Sequence, residues 1–112
     1  MELNVDYRDE IVILQLSGEL DMATVEPLVN KVLEIKEEYQ KIIFDFSEVA
    51  FVDSTGVGNI IKLLQDNDDL DYAITNLREE VEEIFTILNL EEILGAEVFI
   101  DSNSQAIEYL ES

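Results

Sequence analysis

The sequence predicts one α/β domain over residues 1–112: a mixed, mostly parallel sheet of about five strands, opened by an N-terminal hairpin, with about four helices. Three observations carry this expectation. Two β-rich runs stand together at the start, separated only by a short polar turn. After them, short apolar runs alternate with segments of helical periodicity, as parallel βα units require. A chain of 112 residues, 47% of them apolar, is large enough for one hydrophobic core and too short for two.

The elements follow in order. Leu3 to Tyr7 alternates apolar and polar residues, and Ile11 to Leu16 is a second β-rich run. Arg8-Asp9-Glu10 joins them as an antiparallel hairpin. Ser17-Gly18-Glu19-Leu20-Asp21-Met22 reads as a connecting loop. Val25, Leu28, Val29, Val32 and Leu33 mark one face of a helix, with Thr24 as its N-cap and Pro27 in its first turn. Lys41 to Phe46 suits a strand buried on both faces. Val57, Ile60, Ile61 and Leu64 give a second helical face. The polar turn Asp66-Asn67-Asp68-Asp69 leads to a strand over Leu70 to Thr75. Val81, Ile84, Phe85 and Leu88 mark a third helix, Glu97 to Ile100 a last strand, and Ala106, Ile107 and Leu110 a final helix capped by Ser102 or Ser104.

Composition removes several classes of function. With 27 acidic and 6 basic residues the net charge is −21, which repels nucleic acid and anionic membranes and favours neutral or basic partners. Without Cys or His there is no disulfide, zinc finger, catalytic thiol or His-based triad. No apolar stretch approaches the ~20 residues that span a bilayer, and the N-terminus lacks a signal-peptide pattern. The expectation is a cytoplasmic protein without membrane insertion.

Phe51-Val52-Asp53-Ser54-Thr55-Gly56-Val57-Gly58 is the informative stretch. A strand runs into two hydroxyl residues and two glycines, where a helix begins. Ser54 or Thr55 can cap the first turn, and the glycines let the backbone approach a neighbour closely. A helix start also tolerates a phosphate, because its free N–H groups and dipole favour negative charge. Two readings stay open on these residues alone: an ordinary capped helix start, or a site that handles phosphate. A dinucleotide fingerprint fails because Ile61 stands at its third glycine. A P-loop lacks its Gly-Lys-Ser/Thr, and a nucleophile elbow lacks both its motif and a His. An EF-hand starting at Asp66 fails because Leu70 and Leu77 occupy ligand positions. Glu79, Glu80, Glu82 and Glu83 fit the wet face of a helix. No catalytic set, metal site, cofactor or small-molecule substrate is expected.

The run Asp53-Ser54-Thr55-Gly56-Val57-Gly58 resembles the Asp-Ser-(Ser/Thr/Ala)-Gly-(Leu/Val)-Gly signature of bacterial anti-sigma factor antagonists, the STAS domain family. Gly18-Glu19-Leu20-Asp21 is similar to that family's Gly-Glu-(Leu/Ile)-Asp loop. Asn76-Leu77 and Leu90-Glu91-Glu92-Ile93 resemble its later portion, with Asn89 where Gly is common. The resemblance covers essentially the whole chain and implies a non-enzymatic, phosphorylation-controlled partner switch acting on transcription. In that family the unphosphorylated antagonist binds an anti-sigma factor that is itself a serine kinase, and so frees a sigma factor. Phosphorylation abolishes binding, and a serine phosphatase resets the protein. Carried onto this chain, the resemblance places the acceptor at Ser54, with Thr55 as secondary candidate. The docking face it implies comprises Asp21, Met22 and Thr24, together with Asp53, Thr55, Gly56, Val57, Gly58 and Asn59. Alternative readings are a STAS scaffold in a stress-signalling or lipid-transport assembly, a receiver-like module phosphorylated on Asp53, and a small hydrolase using Ser54.

Overall fold

Side-chain alternation along the strands decides which helix packs on which side of the sheet. The computed structural model describes residues 1–111. The elements are β1 (Glu2–Arg8), β2 (Ile11–Leu20), α1 (Val25–Ile35), β3 (Lys41–Val52), α2 (Ser54–Asp66), β4 (Asp71–Thr75), α3 (Glu79–Ile87), α4 (Leu90–Leu94), a 3-10 turn (Ala96–Val98), β5 (Phe99–Ile100) and α5 (Asn103–Glu111). One five-stranded sheet has the order β1-β2-β3-β4-β5. The β1–β2 pair is antiparallel, and every other pair is parallel. The expected hairpin and mixed sheet are both present. The hairpin turn narrows to Asp9-Glu10, since Arg8 pairs with Ile11 and Asp9 takes the left-handed φ of 57°.

Val12, Leu14, Leu16, Ile42, Phe44, Phe46 and Ile74 point to one face, where they meet α1, α2, α3 and α4. Their neighbours Ile11, Ile13, Ile43 and Ala73 point to the other, where they meet Ala106 and Leu110 of α5. Strand β3 is buried on both faces through Ile42, Ile43 and Phe44, as the apolar run requires. Burying a side chain of that size contributes about 1.5–3 kcal/mol. These layers leave the carboxyl ends of β2 and β3 at the rim, followed by the starts of α1 and α2.

Several expectations need correction. Ser17 to Leu20 is not a loop: β2 continues to Leu20, and β3 continues to Val52. Two register shifts let the ladder absorb Ser17, Gly18 and the polar Ser47-Glu48, so turn-like composition survives inside a strand pair. In α1 the buried stripe is Val25, Leu28, Val32 and Ile35, whereas Leu33 is 42% exposed. The region after α3 holds a second short helix, α4, begun by Asn89 in the left-handed conformation at φ 58°. The last strand keeps only Phe99 and Ile100, paired with Ile74 and Thr75, because Glu97 and Val98 wind into the 3-10 turn and Asn76 turns β4 away at φ 58°. Ser102, not Ser104, caps α5: its hydroxyl accepts from the Gln105 N–H at 3.2 Å.

Candidate functional site

Two connections meet at the backbone of Leu20. The Asp53 N–H, at the end of β3, donates to the Leu20 carbonyl at 3.0 Å. Gly56, in the first turn of α2, lies against the same carbonyl. A Cβ there would stand 2.7 Å from Leu20 O, 2.9 Å from Leu20 C and 3.0 Å from Asp21 N. Glycine is therefore what allows α2 to seat on the β2–α1 connection. Gly58 is different, since a Cβ there would meet nothing within 4 Å.

The start of α2 is capped by Asp53, not by Ser54 or Thr55. Asp53 has extended backbone (φ −118°, ψ 168°), and its Oδ1 accepts from the Gly56 N–H at 2.7 Å. This correction frees both hydroxyl residues: Ser54 is the first residue of the helix, and Ser54 and Thr55 are exposed. Asn59, also exposed, donates its side-chain amide to the Thr55 carbonyl at 2.9 Å. Val57 leaves the expected surface altogether; it is 1% exposed and packs in the core, on the inward stripe of α2 with Ile60 and Leu64.

The facing connection is tied internally. Asp21 Oδ1 accepts from the N–H groups of Ala23 at 2.9 Å and Thr24 at 3.1 Å. The Thr24 hydroxyl donates to the Glu19 carbonyl at 2.7 Å and accepts from the Asp21 N–H at 2.9 Å. Thr24 occupies the N-cap position of α1, but its side chain makes no capping bond; the Asp21 carboxylate instead ties the N–H groups of Ala23 and Thr24 just before the helix. Asp21 and Thr24 are half-buried, while Met22 projects with 73% of its surface exposed. The fold thus brings Asp21, Asp53, Ser54, Thr55 and Gly56 into one neighbourhood. Gly58 and Asn59 lie exposed farther along α2, and Val57 points away from solvent.

Sequence reasoning missed one exposed residue here. Phe51, two residues before Asp53, is 50% exposed although Val49 and Val52 beside it are buried. An aromatic inside an apolar run signals burial, and only the register shift between Gly18/Val49 and Glu19/Phe51 turns it outward. Phe51 and Met22 are the exposed apolar side chains of the two converging segments.

A buried polar network was also unannounced in sequence. Asp45 Oδ1 accepts from the Ser47 N–H at 2.9 Å and the Asn76 amide at 3.1 Å, and its Oδ2 accepts from the Asn103 amide at 3.0 Å. The Thr75 hydroxyl donates to Asn103 Oδ1 at 2.6 Å. Burial pushes the Asp45 carboxyl upward, but the Ser47 N–H and the Asn103 and Asn76 amides outweigh it, and the group sits below its ordinary value of 3.8. The network locks β3 and β4 to the start of α5.

Comparison with known proteins gives this geometry a setting. The STAS domain model matches residues 2–106. An anti-sigma factor antagonist from Mycobacterium paratuberculosis superposes with a TM-score of 0.85 at 15% identity, over 99% of this chain and 94% of that one. The anti-sigma factor antagonist SpoIIAA in its unphosphorylated form gives 0.74 at 25% identity, over 98% and 96%; a phosphorylated form of the Bacillus protein also matches. The murine anion transporter Slc26a9 gives 0.78 at 19% identity, with 91% of this chain aligned to 18% of that one, so the fold also occurs as a module within a transporter. From its first hairpin to α5, in strand order and in the turn that opens α2, the chain belongs to the STAS domain family.

Proposed function

We propose that the chain is an anti-sigma factor antagonist working as a phosphorylation-controlled partner switch in the bacterial cytoplasm. The unmodified face around Ser54 docks on an anti-sigma factor kinase, which then releases its sigma factor. Transfer of phosphate to Ser54 ends the docking, and a serine phosphatase restores it. The domain contributes the acceptor hydroxyl, and the ATP chemistry belongs to the kinase.

The observation that carries this reading is the position of Ser54. It is exposed on the first residue of α2, left unused by the cap that Asp53 provides. Phosphate there gains from the helix N-terminus by about 0.3–1 kcal/mol, so the modified free protein tolerates it. In a complex the same group adds about −1.5 to −2 charges to an interface that also covers Asp21 and Asp53. Losing about 4 kcal/mol weakens binding a thousandfold. Local repulsion and bulk therefore suffice, without refolding. SpoIIAA, matched in both phosphorylation states, supports the assignment.

A receiver-like reading through Asp53 fits less well. Its carboxylate is engaged in capping Gly56, and the sheet order is sequential with an antiparallel first pair, unlike the 2-1-3-4-5 order of receivers. The test is incubation with the candidate anti-sigma factor kinase and ATP, followed by mapping of the modified residue. Acid-stable phosphate on Ser54 is expected, with Ser54→Ala still bound by the kinase but no longer released by ATP. Hydroxylamine-labile phosphate, or ATP-driven release of Ser54→Ala, overturns the proposal.

A further inference from the structure

A separate cavity of about 230 Å³ opens beyond the carboxyl ends of β4 and β5. None of its lining residues belongs to the docking face. Ile74, Phe85, Leu90 and Phe99 make its floor, with the two aromatic rings edge to face at a centroid separation of 6.2 Å. Its rim carries the exposed carboxylates of Glu82, Glu91 and Asp101, and no basic residue lines it. None of the three carboxylates forms an ion pair among the described residues.

We propose that this cavity binds a small organic cation: an ammonium or guanidinium group on a short apolar stem, free in solution. The apolar floor takes the stem, and the three rim carboxylates favour the positive head. Three rim carboxylates exclude an anion. A bare metal ion is disfavoured because no group of three or more Asp or Glu side chains converges on one point among the described residues. The size sets the ligand class: at about 30 Å³ per water the space matches on the order of seven water-sized groups, well below a nucleotide.

The test is titration of the ¹⁵N-labelled chain with 3-methylbutylamine, read by amide chemical shifts. Saturable shifts confined to α3, α4 and β5 are expected. 3-Methyl-1-butanol, which lacks the charge, and methylamine, which lacks the stem, should each bind roughly tenfold more weakly. The triple variant Glu82→Gln/Glu91→Gln/Asp101→Asn should lose about tenfold in affinity with an unchanged melting temperature. Thr86→Trp, an exposed position at the mouth, should abolish the saturable shifts. Linear shifts spread over the whole acidic surface and matched by methylamine mean an ion atmosphere only, and overturn the proposal. So does unchanged affinity in either variant. Tighter binding of Nα-acetyl-lysine-N-methylamide than of the free amine assigns the head group to a protein side chain and overturns the free-ligand assignment.

Discussion

The two glycines of the α2 turn should respond to alanine with opposite signs. At Gly56 the new methyl would lie 2.7 Å from the Leu20 carbonyl oxygen, and ordinary contact begins at 3.4 Å, so α2 must retreat by about 0.7 Å. The obstacle is backbone that already accepts the Asp53 N–H, and it cannot swing aside as a side chain would. Overpacking of this kind costs about 1–3 kcal/mol, and relief of glycine's helix penalty returns about 0.5–1. The net loss is on the order of 1–2 kcal/mol. With an unfolding entropy of about 2.1 cal/mol/K per residue, each kcal/mol moves the melting point of a chain this long by about 4 °C. Gly56→Ala should therefore melt about 4–8 °C lower by circular dichroism. Gly58→Ala meets open space and gains only helix propensity, so it should melt about 2–4 °C higher. Shifts of the same sign in both variants would refute the claim that contact with Leu20, rather than helix propensity, explains Gly56.

Asp53→Ala removes the cap and should cost about 0.5–2 kcal/mol in urea unfolding, with Asp53→Asn losing far less. Asp45 is expected to shape the acid limb of stability. Its folded-state value is depressed, so its contribution is complete above the ordinary 3.8 and is lost as pH falls through the depressed value. Asp45→Asn should be less stable at neutral pH by about 1–3 kcal/mol, because a donor then faces the Asn76 and Asn103 amides, and its stability should fall less between about pH 5 and pH 2. Met22→Glu and Phe51→Glu should leave the melting temperature within about 1 °C while weakening capture by the proposed anti-sigma factor partner, measured by surface plasmon resonance.

Much of this architecture was legible because binary patterning is strong. The β-rich run Ile11 to Leu16 marked a strand, and the helical stripe of α2 placed Ile60 and Leu64 inward. What escaped depends on partners distant in sequence. Ser17 and Gly18 carry turn chemistry, and only pairing with Glu48 and Val49 keeps them in a strand. Asp45 drew no reading of its own within the apolar run of β3; its amide partners lie 31 and 58 residues away. At the candidate site, the motif marked the start of α2, but the capping role fell to Asp53 because it holds the extended backbone that a cap requires. Val57, which the resemblance placed on the docking face, is turned inward by the helical phase that already grouped it with Ile60 and Leu64.

Spatial order along the sheet is the order of synthesis. Each strand leaving the ribosome meets the open side of the one made just before it, so assembly can advance in one direction without waiting for a distant segment. Each parallel pairing closes a crossover of roughly 25–30 residues, as in Ile11 with Lys41 and Ile74 with Phe99, and none has to wait for the far end of the chain. Growth then halts at a two-residue terminal strand, too brief to template a neighbouring molecule.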